Sequence, residues 1–197
     1  MPRRAEKVRP SVDRILAAAE TLFATKGYSD ISLRQLIAAA GISTTAFYAR
    51  FDSKAAVLDT LTEQLFRDLQ LEAAATLRHV RSLEEGIERG VDILCTRFAP
   101  RKALVRLVIA EAGSHGPTSS MRRKSYAMLA GFLAHYFKAL ADRGRIDVAD
   151  AAALAWALVG ALEMQIVRWA VWDELDESEL RVQLLAVARA IVPRERA

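Results

Sequence analysis

The sequence has few of the residues that build disulfide frameworks and metal sites. Its one cysteine, Cys95, excludes an internal disulfide, and its three histidines, His79, His115 and His135, are dispersed along the chain. Tetrahedral metal sites draw several Cys or His ligands from close, regular spacings, so we expect no metal ion and no other cofactor. A single cysteine also suits the reducing environment of the cytoplasm.

Long hydrophobic runs are missing as well. The longest apolar stretch, Ala151–Leu162, covers 12 residues before Glu163 interrupts it, whereas a helix that spans a membrane needs about 20. The basic start of the chain, Met1–Arg4, is not followed by the apolar segment of a signal peptide. We therefore expect a cytoplasmic protein without a membrane partner.

The motifs of common enzyme classes are also absent. The sequence contains neither a G-x-x-x-x-G-K-[ST] phosphate loop nor a G-x-S-x-G nucleophile elbow. Cys95 lies in an apolar segment, where a lone cysteine more often contributes to packing than to catalysis. An enzyme stays an alternative, but we expect no enzymatic activity.

Apolar residues at helical spacing are abundant. Hydrophobic residues make up 52% of the chain, and the alternation of β-branched residues that is typical of strands is scarce. The sequence therefore predicts an all-α protein. Three helices are expected near residues 11–27, 32–39 and 43–51, with N-caps at Ser11, Ser32 and Ser43, and six more near 54–78, 82–98, 101–113, 118–143, 148–172 and 177–192.

The second and third helices form a candidate helix-turn-helix. Two short helices separated by Gly41, packed against a longer first helix, are typical of that motif. Leu36, Ile37 and Phe47 can pack inward and hold the two helices together. On the third helix, the outward positions, which would enter a major groove, are then Thr44, Thr45, Tyr48 and Ala49. A helical interaction adaptor that never touches DNA stays open at this point, because the same pattern occurs in other helical proteins.

The positive charge is concentrated in this first quarter of the chain. Residues 1–54 hold nine Lys/Arg and five Asp/Glu, while the 19 basic and 19 acidic residues of the remainder cancel. The whole formal net charge of +4 therefore lies in the first 54 residues, led by an arm with Arg3, Arg4, Lys7 and Arg9. Such an excess favours an electrostatic partner such as DNA phosphate. A basic N-terminus that is merely solvated is the alternative.

The first 54 residues contain an ordered set of residues with characteristic spacing. In order, they are Arg14–Ala19, Leu22–Phe23, Gly27–Tyr28, Leu36, Ala40–Ser43, Phe47–Tyr48 and Phe51–Lys54. This pattern resembles the DNA-binding domain of the tetracycline-repressor (TetR) family. The resemblance implies two domains. Residues 1–54 would form a three-helix DNA-binding domain with a helix-turn-helix, and residues 55–197 a six-helix bundle for ligand binding and dimerisation.

The resemblance also implies roles for individual residues. It gives phosphate contacts to Ser32, Tyr48 and Lys54, and a contact near the DNA backbone to Arg50. Arg34 would contact a base or the DNA backbone. Ser43, Thr44 and Thr45 would form the start of the recognition helix. The alternatives are that Ser32 only caps a helix, that Tyr48 only packs and that Arg50 is only solvated. Thr45 and Ala46 stand where the family usually has glycine and threonine. With such small side chains, readout is expected to depend on thymine methyl groups and backbone shape more than on bidentate hydrogen bonds.

By resemblance, the whole chain is expected to be a ligand-responsive transcriptional regulator, usually a repressor in this family. It would bind a palindromic double-stranded operator as a homodimer, and a small apolar effector would release it. Polar residues within apolar helices are candidates for the effector pocket, because burying them unpaired is costly. With their apolar neighbours, the pocket candidates are Cys95, Phe98, Glu111, Met128, Phe132, His135, Tyr136, Trp156 and Glu163. The alternative is ordinary core packing, with Glu111 and Glu163 paired to Arg106 or Arg168.

A dimer interface is expected on the last two helices, where one stripe of the eighth helix could meet the ninth helix and a second copy. The candidates are Leu154, Leu158, Leu162, Gln165, Trp169, Leu184 and Ala188. A monomeric core would produce the same pattern, so the sequence alone leaves both possibilities open.

Overall fold

The computed structural model describes residues 9–110 and 117–196, and every regular element within those ranges is helical. The prediction of an all-α fold is confirmed. The helices are α1 (Arg9–Lys26), α2 (Leu33–Ala39), α3 (Thr44–Tyr48), α4 (Lys54–Leu77), α5 (Leu83–Phe98), α6 (Lys102–Ala110), α7 (Pro117–Asp142), α8 (Ala151–Ala170) and α9 (Glu177–Ile191), with a 3₁₀ turn at Ala99–Arg101 between α5 and α6.

Side-chain caps fix where several helices begin. Ser32 and Ser43 cap α2 and α3 as predicted, and Ser82, Asp150 and Asp176 cap α5, α8 and α9. Each such cap contributes about 1 kcal/mol, since it satisfies an N–H group that has no partner within the helix. The cap predicted at Ser11 is wrong, because α1 has already begun at Arg9. Pro10 does not prevent this, since proline is tolerated in the first turn of a helix.

Packing divides the chain into two compact units. The first comprises the described parts of Met1–Gln64 and Ala103–Met121, and the second comprises Leu65–Lys102 and Arg122–Ala197. Helix α4 is continuous across the division and contributes residues to both units. The boundary expected between residues 54 and 55 separates a DNA-binding from a ligand-binding domain by function rather than by packing, and it stays a prediction.

The first unit has its core between the N-terminal helices. Ile15 on α1, Leu36 on α2, Phe47 on α3 and Leu58 on α4 are fully buried. Helix α6 adds a buried face of its own to this unit, through Leu104, Val105 and Val108. The short helices α2 and α3 bury few residues each, so their placement depends on this shared core rather than on helix propensity.

The second unit is built around α5, α7, α8 and α9. Its core cluster joins Leu83 of α5, Phe137 of α7, Ala155 and Leu158 of α8 and Ala188 of α9. Helix α9 packs against both α8 and α5.

Helix α8 is the most apolar element of the described chain. Its only charged residues are Glu163 and Arg168, and by length and composition alone it could cross a membrane, a test that core helices of soluble proteins also pass. Of the residues in its most apolar 18-residue stretch, only 22% are fully buried. Its exposed apolar side chains include Trp156, 50% exposed, and Met164, 48% exposed.

The exposed side of α8 differs from the side predicted to meet a partner. Four of the predicted interface residues are buried inside the chain, in which α8 and α9 pack on each other. They are Leu158, Trp169, Leu184 and Ala188. Leu154, Leu162 and Gln165 are half-buried. Helix α8 is apolar nearly all round, so periodicity could not tell its inner stripe from its outer one.

Candidate nucleic-acid interface

Helix α2 begins with a complete capping box. The backbone N–H of Gln35 donates to Oγ of Ser32 at 3.2 Å, and the backbone N–H of Ser32 donates to Oε1 of Gln35 at 2.8 Å. The Ser32 hydroxyl also donates to the same Oε1 at 3.0 Å. Ser32 is exposed, so the residue predicted to touch phosphate is at the surface and already holds the helix start in place.

The turn between α2 and α3 is held from α1. Gly41 has a φ of +61°, a left-handed conformation that glycine adopts without the steric penalty of a side chain. The Arg14 guanidinium donates to the carbonyl oxygen of Gly41 at 3.5 Å. This role of Arg14 was not predicted, because its partner lies 27 residues away in sequence.

Helix α3 presents small polar residues and one aromatic ring to solvent. Ser43 caps it by accepting from the backbone N–H of Ala46 at 3.1 Å, and Phe47 anchors it in the core with no exposed surface. Tyr48 is 55% exposed and packs edge-on against Phe47, with ring centroids 5.6 Å apart. The remaining outward residues, all exposed, are Thr44, Thr45 and Ala49.

The two arginines predicted to reach DNA are both exposed. Arg34 lies on α2 and Arg50 follows α3, where its guanidinium donates to the carbonyl oxygen of Ala49 at 3.0 Å. Seven of the eight predicted DNA-binding residues, all but Lys54, are thus on the surface of the first unit. Surface placement makes them available to a duplex, and their contacts with DNA stay predictions.

Lys54 is the exception among the predicted DNA contacts. It is half-buried, and its ammonium donates to the carbonyl oxygens of Tyr28 at 2.5 Å and of Ile31 at 2.7 Å. The same ammonium lies 4.1 Å from the centroid of the Tyr28 ring. Its described contacts are with the protein itself.

The predicted effector-pocket residues fall into three groups. Phe98 is buried, and Cys95, Met128, Phe132, Tyr136 and Glu163 are half-buried in the second unit. His135 and Trp156 are exposed, so they lie outside the interior in which the pocket was expected. Glu111 lies outside the described residues. The pocket itself stays a prediction.

The half-buried Glu163 pairs with a tyrosine rather than with Arg168. The Tyr126 hydroxyl donates to Oε1 of Glu163 at 2.9 Å, and Arg168 instead pairs with Glu174 at 2.9 Å. Burial and the adjacent carboxylate raise the pKa of Tyr126, so it stays a neutral donor at physiological pH. The Tyr126 ring packs edge-on against Phe66, which in turn packs against Phe98. Neither Tyr126 nor Phe66 was among the predicted pocket residues.

Cys95 has the character of a packing residue. Burial raises the pKa of its thiol, with only a partial opposing effect from the nearby Arg181. A thiol with a raised pKa is a poor nucleophile at neutral pH.

The first part of the chain matches a known family of proteins. Residues 15–61 match the family described as bacterial regulatory proteins, tetR family. The HTH-type transcriptional regulator EthR of Mycobacterium tuberculosis H37Rv is 35% identical over 112 residues, which cover 54% of this chain and 52% of EthR. The chain thus spans about half the length of the curated relatives it matches.

Solved structures share the fold over nearly the whole chain. A protein described as a TetR-family transcriptional regulator of Syntrophomonas wolfei superposes with a TM-score of 0.85 at 20% identity, covering 92% of this chain and 94% of that one. FadR of Bacillus subtilis, in complex with stearoyl-CoA, has a TM-score of 0.79 at 15% identity, over 91% and 97% of the two chains. At these identities the likeness establishes the fold alone.

Proposed function

Because this chain belongs, through its N-terminal domain, to the tetR family of bacterial regulatory proteins, we propose that it is a transcriptional regulator. It binds a palindromic double-stranded operator as a homodimer, represses transcription there and is released by a small apolar effector. It works in the cytoplasm without a membrane partner, cofactor or enzymatic activity.

The observation that carries this proposal is the exposed surface of the helix-turn-helix. Helix α3 is anchored through Phe47 and leaves Thr44, Thr45 and Tyr48 open to solvent. A helix of this kind fits a major groove, where hydroxyl groups can contact bases and a tyrosine hydroxyl can donate to phosphate. The net positive charge of the first 54 residues supports the same partner.

The uncovered apolar faces of α8 and α9 support a homodimer. Trp156, Gly160 and Met164 are exposed and spaced four residues apart, so they share one side of α8. On α9, Val182, which is 60% exposed, and Ala186 are likewise exposed and four residues apart, so they share one side of that helix. A second copy would cover both faces at once in a four-helix interface. This replaces the stripe that was predicted from the sequence.

The effector proposal rests on the second unit. Aromatic rings and one carboxylate lie together there, at Phe66, Phe98, Tyr126 and Glu163. FadR of Bacillus subtilis shares the fold and holds stearoyl-CoA, so the fold is compatible with a ligand that carries a long apolar chain. For release, the effector must bind more tightly to the state of the dimer that cannot bind the operator, since equal affinity for both states shifts nothing.

Selection of random duplexes by the purified protein at moderate salt tests the proposal. We expect enrichment of a palindrome with half-sites about 34–36 Å apart, or a multiple of that spacing. Tyr48→Phe is the matched control, because it keeps the ring against Phe47 and removes only the hydroxyl. It should weaken binding to all duplexes alike. No enrichment, with retention that does not depend on salt, would contradict DNA binding and favour the adaptor.

Release by an effector has its own test. A preformed operator complex is titrated with stearoyl-CoA and with a panel of other apolar compounds. At least one compound should release the duplex in proportion to its occupancy of the protein. If a compound binds the protein without releasing the duplex, it is not the effector.

A further inference from the structure

Lys54 is at odds with its local position. It is the first residue of α4, and the first turn of that helix contains no acidic residue. A positive charge is electrostatically unfavourable at a helix N-terminus, where the helix dipole is itself positive. A residue that opposes a local preference usually has a compensating role elsewhere in the structure.

The compensation is a set of contacts with the loop between α1 and α2. The ammonium donates to the carbonyl oxygens of Tyr28 and Ile31, and it lies over the Tyr28 ring. Carbonyl oxygens and an aromatic face both attract a cation, more strongly where water is partly excluded. Tyr28 and Ile31, which lie 26 and 23 positions before Lys54 in the sequence, are thereby both held at its ammonium.

These contacts lie directly beside the start of α2. The carbonyl oxygen of Tyr28 also accepts from the backbone N–H of Ile31 at 3.5 Å, which closes the loop into a turn. The Ile31 side chain is 2% exposed, so the turn is fixed to the core. The next residue, Ser32, is the N-cap of α2. The Lys54 ammonium, the turn and the first residue of the helix-turn-helix are thus contiguous.

We propose that Lys54 is a positioning residue for DNA binding rather than a phosphate contact. Its ammonium joins the first turn of α4 to the turn that precedes α2, and so holds Ser32 and the start of the helix-turn-helix in the position that DNA binding requires. The DNA-binding part of this inference rests on the proposed function.

Lys54→Met and Lys54→Arg test the inference, with DNA affinity measured across salt concentrations well below the melting temperature. Lys54→Met should lower the Tm of the free protein and weaken DNA binding about tenfold. The slope of log affinity against log salt concentration should not change. Lys54→Arg should restore part of both losses, because it returns a cation to the two carbonyls. Loss of a phosphate contact would instead reduce that slope by about 0.9 for each lysine removed, at unchanged Tm.

Arg50→Gln calibrates the experiment, since Arg50 is an exposed cation predicted to lie near the DNA backbone. A reduced slope for Lys54→Met, like that of Arg50→Gln, overturns the inference. So does wild-type DNA affinity in folded Lys54→Met, which would leave the lysine a purely structural role. If Lys54→Met does not fold, Tyr28→Leu removes the ring and leaves both carbonyls as a milder test.

Absence of DNA binding by the protein can be distinguished from absence of a structural role for the Lys54 contact. If the wild-type protein binds no duplex, the DNA-binding role of Lys54 falls with the proposed function. Amide hydrogen exchange of Ile31–Leu33 still reports on the contact itself. Faster exchange in Lys54→Met than in Arg50→Gln supports the contact, and equal exchange overturns it.

Discussion

Glu195 shows how much one side chain near the C-terminus holds together. Its carboxylate accepts from the backbone N–H of Leu83 at 2.7 Å, at the start of α5, and from Nε of Arg145 at 2.6 Å. Arg145 in turn donates to the carbonyl oxygen of Arg81 at 3.2 Å. One carboxylate therefore supplies the first turn of α5 with an acceptor and joins it to the loop after α7.

These hydrogen bonds make Glu195 a source of pH-dependent stability. The Leu83 N–H and the Arg145 guanidinium lower the pKa of the carboxyl below its ordinary value of 4.5. Its stabilising effect is therefore complete above that value and is lost as pH falls through the lowered pKa. Glu195→Gln should lower the Tm at pH 7, and its difference from the wild type should shrink steadily below about pH 4.5. Thermal unfolding at pH 7 and at several acidic values measures this.

Asp142→Asn is the matched control for Glu195→Gln. Asp142 pairs with Lys138 at 2.8 Å on the exposed surface of α7, and such pairs contribute little. Its Tm at pH 7 should stay close to that of the wild type. If both variants lose the same amount of stability, or if the loss at Glu195 is the same at every pH, the role given to Glu195 is wrong.

At the scale of single elements, α5 contains two glycines with opposite surroundings. A Cβ added at Gly86 would lie 3.0 Å from the hydroxyl of Tyr136, whereas one added at Gly90 would have no atom within 4 Å. The Tyr136 hydroxyl is buried and has no hydrogen-bond partner among the described residues. Gly86 therefore leaves the space that the Tyr136 hydroxyl occupies.

The two glycines predict opposite results for alanine substitution. Gly90→Ala should raise the free energy of unfolding by about 1 kcal/mol, since alanine is the better helix former. Gly86→Ala should not show this increase, because its new Cβ would lie only 3.0 Å from the Tyr136 hydroxyl. The double variant Gly86→Ala with Tyr136→Phe should recover it, because the contacting hydroxyl is gone. Urea unfolding of the four proteins measures these differences, and equal gains at both glycines would contradict the account.

How far each element could be predicted depends on whether its cause is local. The caps at Ser32 and Ser43 were predictable, because capping depends on residues three positions apart. The inward direction of Lys54 was not, since its partners are more than 20 residues away. The exposure of Trp156 and the burial of Trp169 were not predictable either. Both lie on a helix that is apolar all round, and burial there is decided by which neighbouring helices cover it.

At the scale of the whole molecule, the proposed dimer depends on the exposed apolar faces of α8 and α9. Trp156→Asp together with Val182→Asp should convert the dimer into a monomer and weaken operator binding, because a charge buried at the interface is costly. Analytical ultracentrifugation measures the first effect and a gel-shift titration the second. Leu71→Asp on α4 is the control, since Leu71 is 63% exposed on a helix outside this interface and should leave the dimer intact.

A monomer in the Leu71 variant as well would mean that any added charge disrupts assembly, and the interface would need to be placed elsewhere. A dimer in the Trp156 and Val182 variant would contradict the interface directly. Loss of operator binding without loss of the dimer would separate the two functions of the chain.

The tryptophans of the chain give it a built-in optical signal. All three, Trp156, Trp169 and Trp172, lie on α8 or in the turn directly after it. Trp169 is 1% exposed, whereas Trp156 and Trp172 are 50% and 54% exposed. Indole emission shifts to longer wavelength in water, so the tryptophan fluorescence of this protein comes from α8 and the turn after it and combines one buried indole with two exposed ones. Any event that covers Trp156 should therefore shift the emission wavelength and reduce quenching by iodide, and both can be measured on the unlabelled protein.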